Sequence, residues 1–180
     1  MKAKTVFLLL TLFLLLFSGC VQREEKKPEG AEDSNKMKIT SPAFAEKAVI
    51  PKKYTCNGEN INPPLKIEDI PKGTKTLVLI VDDPDAPIGI WDHWIVWNIP
   101  PVSEIAENSV PAGAVQGVNS GKENKYYGPC PPYGTHRYRF IVYALDTAIK
   151  IPETSRRREL EAAMSGRVLA EATLTGVVSS

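Results

Sequence analysis

His93 and His136 are the two histidines of the 180-residue sequence, and each stands at the start of a β-prone run. The acidic groups best placed to work with them are Asp83 and Asp85, in the stretch Asp82-Asp83-Pro84-Asp85-Ala86-Pro87. Pro84 and Pro87 bias the residues before them to extended backbone, so the two carboxylates are expected to point the same way. Trp91, Trp94 and Trp97 crowd around His93. A second cluster, Tyr127-Gly128-Pro129-Cys130-Pro131-Pro132-Tyr133-Gly134, leads into His136, and its prolines fix φ and stiffen it. Two imidazoles and two carboxylates at strand ends, walled by aromatic rings, can build a small-ligand pocket. By type they could also ligate zinc or manganese, or act as acid and base in hydrolysis. The bland alternative is turn chemistry at Asp-Pro-Asp and structural histidines at strand starts. No nucleophile elbow, H-E-x-x-H or P-loop is present, and neither Ser103 nor Ser120 has a local context that would activate it.

These groups need strands to position them. Thr76–Val81, His93–Ile99 and Arg137–Leu145 are apolar or alternating β-prone runs, and the first is continuous enough to be covered on both faces. Alternation in the third places His136, Tyr138 and Phe140 on one face, with Arg137, Arg139 and Ile141 on the other. Shorter strands are expected at Met37–Thr40, Leu65–Ile67 and Leu169–Val178. The 15 prolines argue against a helical bundle, because each breaks a helix interior. One helix is expected, Arg156–Met164, capped by Thr154 or Ser155 and ended by Gly166. Its arginine run reads as a solvated helix face. A formal charge of +1 lacks the broad basic footprint of a nucleic-acid binder. With 43% hydrophobic and 24% charged residues, the chain is neither a disordered tail nor a multi-span membrane protein.

The first residues read as an address. Lys2 and Lys4 precede Val6–Phe17, twelve residues that are apolar except for Thr11. Twelve residues are too few for a bilayer core that needs roughly twenty, and the layout is that of a secretory signal peptide. Leu16-Phe17-Ser18-Gly19-Cys20 resembles the prokaryotic lipobox, with Cys20 as the lipidated residue. An ordinary signal peptide or an uncleaved anchor is the alternative. Ten of the eighteen residues from Val21 to Lys38 are charged, five of each sign, which suits a flexible tether. The domain organisation expected is thus a signal peptide over 1–19, a lipidated cysteine and tether over 20–38, and a folded domain over 39–180. Such a protein would sit on the cell membrane, facing the extracytoplasmic side.

Three segments together resemble the signature regions of the phosphatidylethanolamine-binding protein family, in its prokaryotic Raf-kinase-inhibitor-like branch. They are Asp83-Pro-Asp-Ala-Pro87, His93-Trp with Asn98-Ile-Pro, and Gly128-Pro-Cys-Pro-Pro-Tyr-Gly-Thr-His-Arg-Tyr138. Ile50–Gly58, Asn62–Leu65 and the stretch from Glu159 to Ala172 extend the likeness, which covers about residues 39 to 178. The resemblance implies a mainly β fold, an antiparallel Greek-key β-sandwich with a few short helices. It places a ligand-binding pocket on Asp83, Asp85, Trp91, His93, Gly128, Pro131, His136 and Tyr138. The ligand implied is a small anionic or phosphorylated molecule, such as phosphate or the phosphoethanolamine headgroup. A homodimer is a further possibility in this branch, as is protease inhibition or another protein-interaction role. No catalytic residue, metal or cofactor, and no nucleic-acid partner, is implied. Two carboxylates beside an anion would repel it, so one of them is expected to accept a hydrogen bond from a histidine and favour its charged form.

With Cys20 assigned to lipid, Cys56 and Cys130 remain as a pair in a disulfide-permissive compartment. A bridge between them is the expectation; two buried thiols are the alternative.

Overall fold

A computed structural model of the protein describes residues 36–180. The expected signal peptide, Cys20 and all but the last residues of the tether lie outside the described residues. Met37, which charge patterning assigned to the tether, is buried, and Lys38 opens the first strand.

The strands run β1 Lys38–Thr40, β2 Leu65–Glu68, β3 Thr76–Asp83, β4 Trp91–Ile99, β5 Glu104–Ile105, β6 Val115–Gln116, β7 Thr135–Leu145 and β8 Val168–Ser179, with helix α1 at Arg157–Met164 before β8. A single 3-10 turn lies at Lys52–Tyr54. Two antiparallel sheets form, β1-β2-β5 and β6-β4-β3-β7-β8. The result is the expected antiparallel β-sandwich, with α1 as a third layer. β5 and β6 are two residues each, too short to leave a periodic signal.

β3 is buried along its whole length, because its two faces serve two cores. Leu77, Leu79 and Val81 join Trp94, Val96, Phe140 and Val142 between the sheets. Val78 and Ile80 join Ile95, Trp97, Leu160 and Met164 under the helix. Full burial of such side chains stabilises by about 1.5–3 kcal/mol each. The alternation continues past the apolar run. Asp83 therefore falls on the inter-sheet face and Asp82 on the helix face.

Helix α1 is capped differently from the expectation. Arg156 is the cap residue and its backbone N–H donates to the Glu159 carboxylate. Ser155 is buried instead, and its carbonyl accepts from the Val118 N–H. Gly166, at φ 71°, ends the helix as expected. The arginine run is also not one solvated face. Arg158 is exposed, but the Arg157 guanidinium is mostly buried and donates to Asp82 at 2.6 Å, Asp92 at 3.0 Å and Glu161 at 2.6 Å.

The other long edge, β8, is partly covered by the segment before the 3-10 turn. Lys47 and Ile50 donate backbone N–H groups to the carbonyls of Thr175 and Val177, and Val177 donates back to Ala48. A Cβ at Gly176 would collide with Ile50 and Phe44, so glycine is what lets the two segments close.

Candidate functional site

The β3–β4 pairing steps from Val81↔Trp94 to Asp82↔Asp92, which leaves His93 as the extra residue of a β-bulge. Bulges re-aim side chains and occur often beside functional sites. Here the bulge brings the His93 ring against Tyr138 of β7, edge-on, with ring centroids 5.2 Å apart. Strict alternation would have turned His93 toward α1 with Ile95 and Trp97. His136 enters from the start of β7, on the face that also carries Tyr138 and Phe140. The long strand β7 thus presents one histidine and supports the other.

Both imidazoles are fixed through Nδ1. His93 Nδ1 lies 2.7 Å from the Tyr127 carbonyl, which can only accept, so this nitrogen carries a proton. His136 Nδ1 lies 2.7 Å from Asp83 Oδ2, and both side chains are about 5% exposed. The second oxygen of Asp83 accepts the Asp85 N–H at 2.8 Å. Each ring keeps Nε2 as its remaining polar atom. Burial lowers the pKa of His93, against the smaller opposing pulls of the Tyr127 carbonyl and of Asp83 and Asp82. His93 is therefore neutral at neutral pH, and its Nε2 is then an acceptor.

A cavity of about 310 Å³ opens above these groups. Asp83, His93 and His136 supply its buried polar end. Trp91, Tyr127, Pro87 and Pro132 wall it, with Ala86, Ile88 and Cys130 completing the lining. Volume alone does not select the site. A larger depression of about 710 Å³ lies between Lys36–Thr40 and Glu171–Thr173, but it holds no histidine and no buried polar group.

The expected pocket residues separate into two groups. Asp83, Trp91, His93 and His136 line the cavity together. Tyr138 stands behind it, fully buried against His93, with a hydroxyl that makes no hydrogen bond. Burial pushes that hydroxyl's pKa well up, and the Asp83 charge adds to the shift. Gly128 is absent from the lining, and its N–H donates to Asn60 Oδ1 at 2.7 Å, so it is not free for a ligand. A Cβ there would strike the backbone of Tyr54 and Thr55, which explains the glycine as a packing requirement. Pro131 is half-buried and also outside the lining.

Asp85 departs from the expectation of two parallel carboxylates. The Asp83–Asp85 hydrogen bond turns the chain, and Asp85 faces Arg137 instead of the cavity. It accepts from Arg137 Nη2 at 2.6 Å, and from both Nε and the backbone N–H at 2.9 Å. The Arg137 guanidinium holds its pKa down at about 2. Sequence reasoning also missed Ile88, Cys130 and Tyr127 as individual lining residues, although the last two lie within the quoted loop. An exposed apolar pair, Ile88 and Ile90, flanking a glycine beside the aspartate turn was the available signal for the rim.

Cys56 and Cys130 form a disulfide, closing a sequence separation of 74 residues. It ties the loop that leads to His136 onto the residues after the 3-10 turn, where the Cys56 N–H also donates to the Pro129 carbonyl at 3.1 Å. Among the described residues, no group of three or more His, Cys, Asp or Glu side chains is placed to hold a metal ion.

Comparison with known proteins places the architecture. The chain is 44% identical over 186 residues to a UPF0098 protein of Pyrococcus horikoshii, covering 98% of this chain and 89% of the relative. It is 45% identical over 145 residues to a UPF0098 protein of Chlamydia trachomatis, covering 78% and 97%. That designation names no activity. A crystal structure of a phosphatidylethanolamine-binding protein homolog from Chlamydia trachomatis superposes with a TM-score of 0.79 at 46% identity, over 82% of this chain and 99% of that one. Escherichia coli YbcL, described as a member of the mammalian family, follows at 0.76 and 31%, over 81% and 99%. Residues 40–179 match the family described as phosphatidylethanolamine-binding protein, and the chain belongs to that family.

Proposed function

We propose that the protein is an extracytoplasmic binding module, tethered to the membrane through Cys20, for a small anionic or phosphorylated ligand held at His93 and His136. The observation that carries the reading is the matched commitment of both Nδ1 atoms, to Tyr127 and to Asp83, beside one cavity. A neutral Nε2 accepts a hydrogen bond and a protonated one donates. The pair therefore suits an oxyanion that brings a proton, or one that binds as the rings take up protons. Both oxygens of Asp83 already accept hydrogen bonds, which reduces, without cancelling, the repulsion that its charge exerts on an anion. The apolar N-terminal run and the lipobox-like Cys20 support the tether, and the disulfide suits an oxidising compartment.

The test is thermal stability of the protein with inorganic phosphate, sulfate or acetate, alone and in His136→Ala. Stabilisation by an oxyanion that disappears in the folded variant supports binding. Absence of any shift would shift weight to the reading in which the apolar rim, not the cavity, meets a protein partner. The lipid anchor is tested by mass measurement of the membrane-extracted chain, where Cys20→Ser should abolish acylation and release the protein.

A further inference from the structure

We propose that a second cavity, separate from the histidine site, binds a short-chain carboxylate through the side-chain amides of Gln116 and Asn60 and the ammonium of Lys125. The inference does not depend on the anion reading above. This cavity, of about 260 Å³, lies between Asn60–Asn62, the loop at 108–110, Gln116 of β6 and Lys125. It shares no lining residue with the histidine cavity: Trp94 and Tyr126 line it, while their chain neighbours His93 and Tyr127 line the other. Its rim is fixed from behind by Asn62, which is buried. The Asn62 amide donates to the Ala106 carbonyl at 3.0 Å, and its oxygen accepts the Ser109 N–H at 3.0 Å.

What the cavity presents is a set of unspent donors. The Trp94 indole N–H can only donate, and it lies 2.7 Å from Gln116 Oε1. That contact fixes which end of the Gln116 amide is oxygen and leaves its NH2 group uncommitted. The Gly128 N–H, 2.7 Å from Asn60 Oδ1, fixes the Asn60 amide in the same way. Asn60 holds this pose at φ 58°, a left-handed backbone that asparagine tolerates. Among the described residues neither NH2 group has a hydrogen-bond partner, and both residues are half-buried. Lys125 adds a positive charge at the rim. Its pairing with Glu123 at 3.0 Å joins side chains 58% and 44% exposed, so it holds the ammonium only weakly. Among the described residues, no aspartate or glutamate lines the cavity.

Two neutral NH2 groups and one ammonium match the two oxygens and single charge of a carboxylate. Ile61 and Val110 supply apolar surface for a short acyl stem. The volume, roughly nine times the ~30 Å³ share of one water in the liquid, holds a molecule of that size. Trp94 and Tyr126 are only 1% and 7% exposed, so neither offers an open ring face to a sugar.

Heteronuclear NMR of the isotope-labelled full chain, titrated with sodium butyrate and with inorganic phosphate, tests the assignment at the amides themselves. Butyrate is expected to shift the Gln116 and Asn60 NH2 signals saturably and to bind there more tightly than phosphate. Gln116→Glu keeps an acceptor for the Trp94 indole but replaces the donor with a carboxylate. It should weaken butyrate binding at least about tenfold, the scale of a hydrogen bond to a charged group. Lys125→Gln, at an exposed position, should weaken it about threefold, so a Gln116→Glu chain that fails to fold does not leave the question open. His136→Ala should leave the butyrate shifts unchanged, which separates this site from the histidine cavity. Absence of saturable shifts at the two NH2 groups would overturn the proposal. So would phosphate binding there as tightly as butyrate, butyrate affinity unchanged in Lys125→Gln, or loss of the shifts in His136→Ala.

Discussion

Asp82 and Asp83 are neighbours in β3, both nearly inaccessible to solvent, and they do opposite things. Asp82 faces the helix layer, where it takes two hydrogen bonds from Arg139 at 2.7–2.8 Å and one from Arg157 at 2.6 Å. Both partners are permanent cations, and between them they occupy both Asp82 oxygens. Burial works against the Arg157 charge, but Glu161, Asp82 and Asp92 outweigh it and hold its pKa above the usual value. Asp83 faces the inter-sheet layer and meets one titratable imidazole at the edge of a cavity. A buried carboxylate closed by fixed charge is architecture. One closed by a histidine whose other nitrogen is uncommitted can respond to a ligand.

The same substitution at the two positions is the sharpest way to break this distinction. Asp82→Asn leaves two guanidiniums facing an amide. It should cost about 3–5 kcal/mol, the penalty for stranding buried charge, measured by chemical denaturation. Asp83→Asn keeps an acceptor for the His136 N–H. It should cost only about 1 kcal/mol, while lowering oxyanion affinity roughly tenfold, because a neutral amide holds the ring with a weaker hydrogen bond than a carboxylate does. Equal stability losses at the two sites would erase the contrast.

Acidity gives a smaller effect. The pKa of His93 is depressed by burial, so its contribution to stability is full above about pH 6.5. That contribution falls as the pH drops, because the unfolded chain takes up a proton that the folded one resists. A bound anion offsets that burial cost. Stabilisation by sulfate, whose charge is constant over the range, should therefore grow from pH 8 to about pH 5.5, with the His93 contribution absent in His93→Gln. A flat response would remove the charged-imidazole element of the mechanism. Asp85→Asn should be the mildest change, about 0–1 kcal/mol at neutral pH, because Arg137 is 61% exposed and solvent screens the pair. Its pKa is depressed to about 2, so the contribution is present above about pH 4 and is lost as the pH falls toward 2.

Much of the frame is legible in residue order. The apolar run of β3, the alternation of β7 and the cysteine count lead directly to the strands and to the disulfide that the structure contains. Four features are not legible, for physical reasons. The bulge at His93 depends on pairing register with β3, which local periodicity does not encode. The rotation of Asp85 toward Arg137 depends on a hydrogen bond between Asp85 and the side chain two residues earlier, set against a partner 52 residues away. The role of Arg157 depends on Asp82, 75 residues distant, so within its own helix it is indistinguishable from its exposed neighbours. Gly128, placed in the pocket by the resemblance, spends its N–H on Asn60 across 68 residues.

The clasp between Ala45–Ile50 and the far end of β8 has a consequence for the order of assembly. Glu46 accepts the Thr175 N–H across 129 residues of sequence, and β7, which carries His136 and Tyr138, is bonded to β8 along its whole length. Contacts of such separation close large loops before they return any stabilisation, which places the domain among slow folders. His136 lies on a strand whose outer partner is the last to arrive, whereas His93 lies on β4, which pairs with β3 and β6. A nascent chain can thus hold its apolar runs collapsed well before the cavity has its final shape.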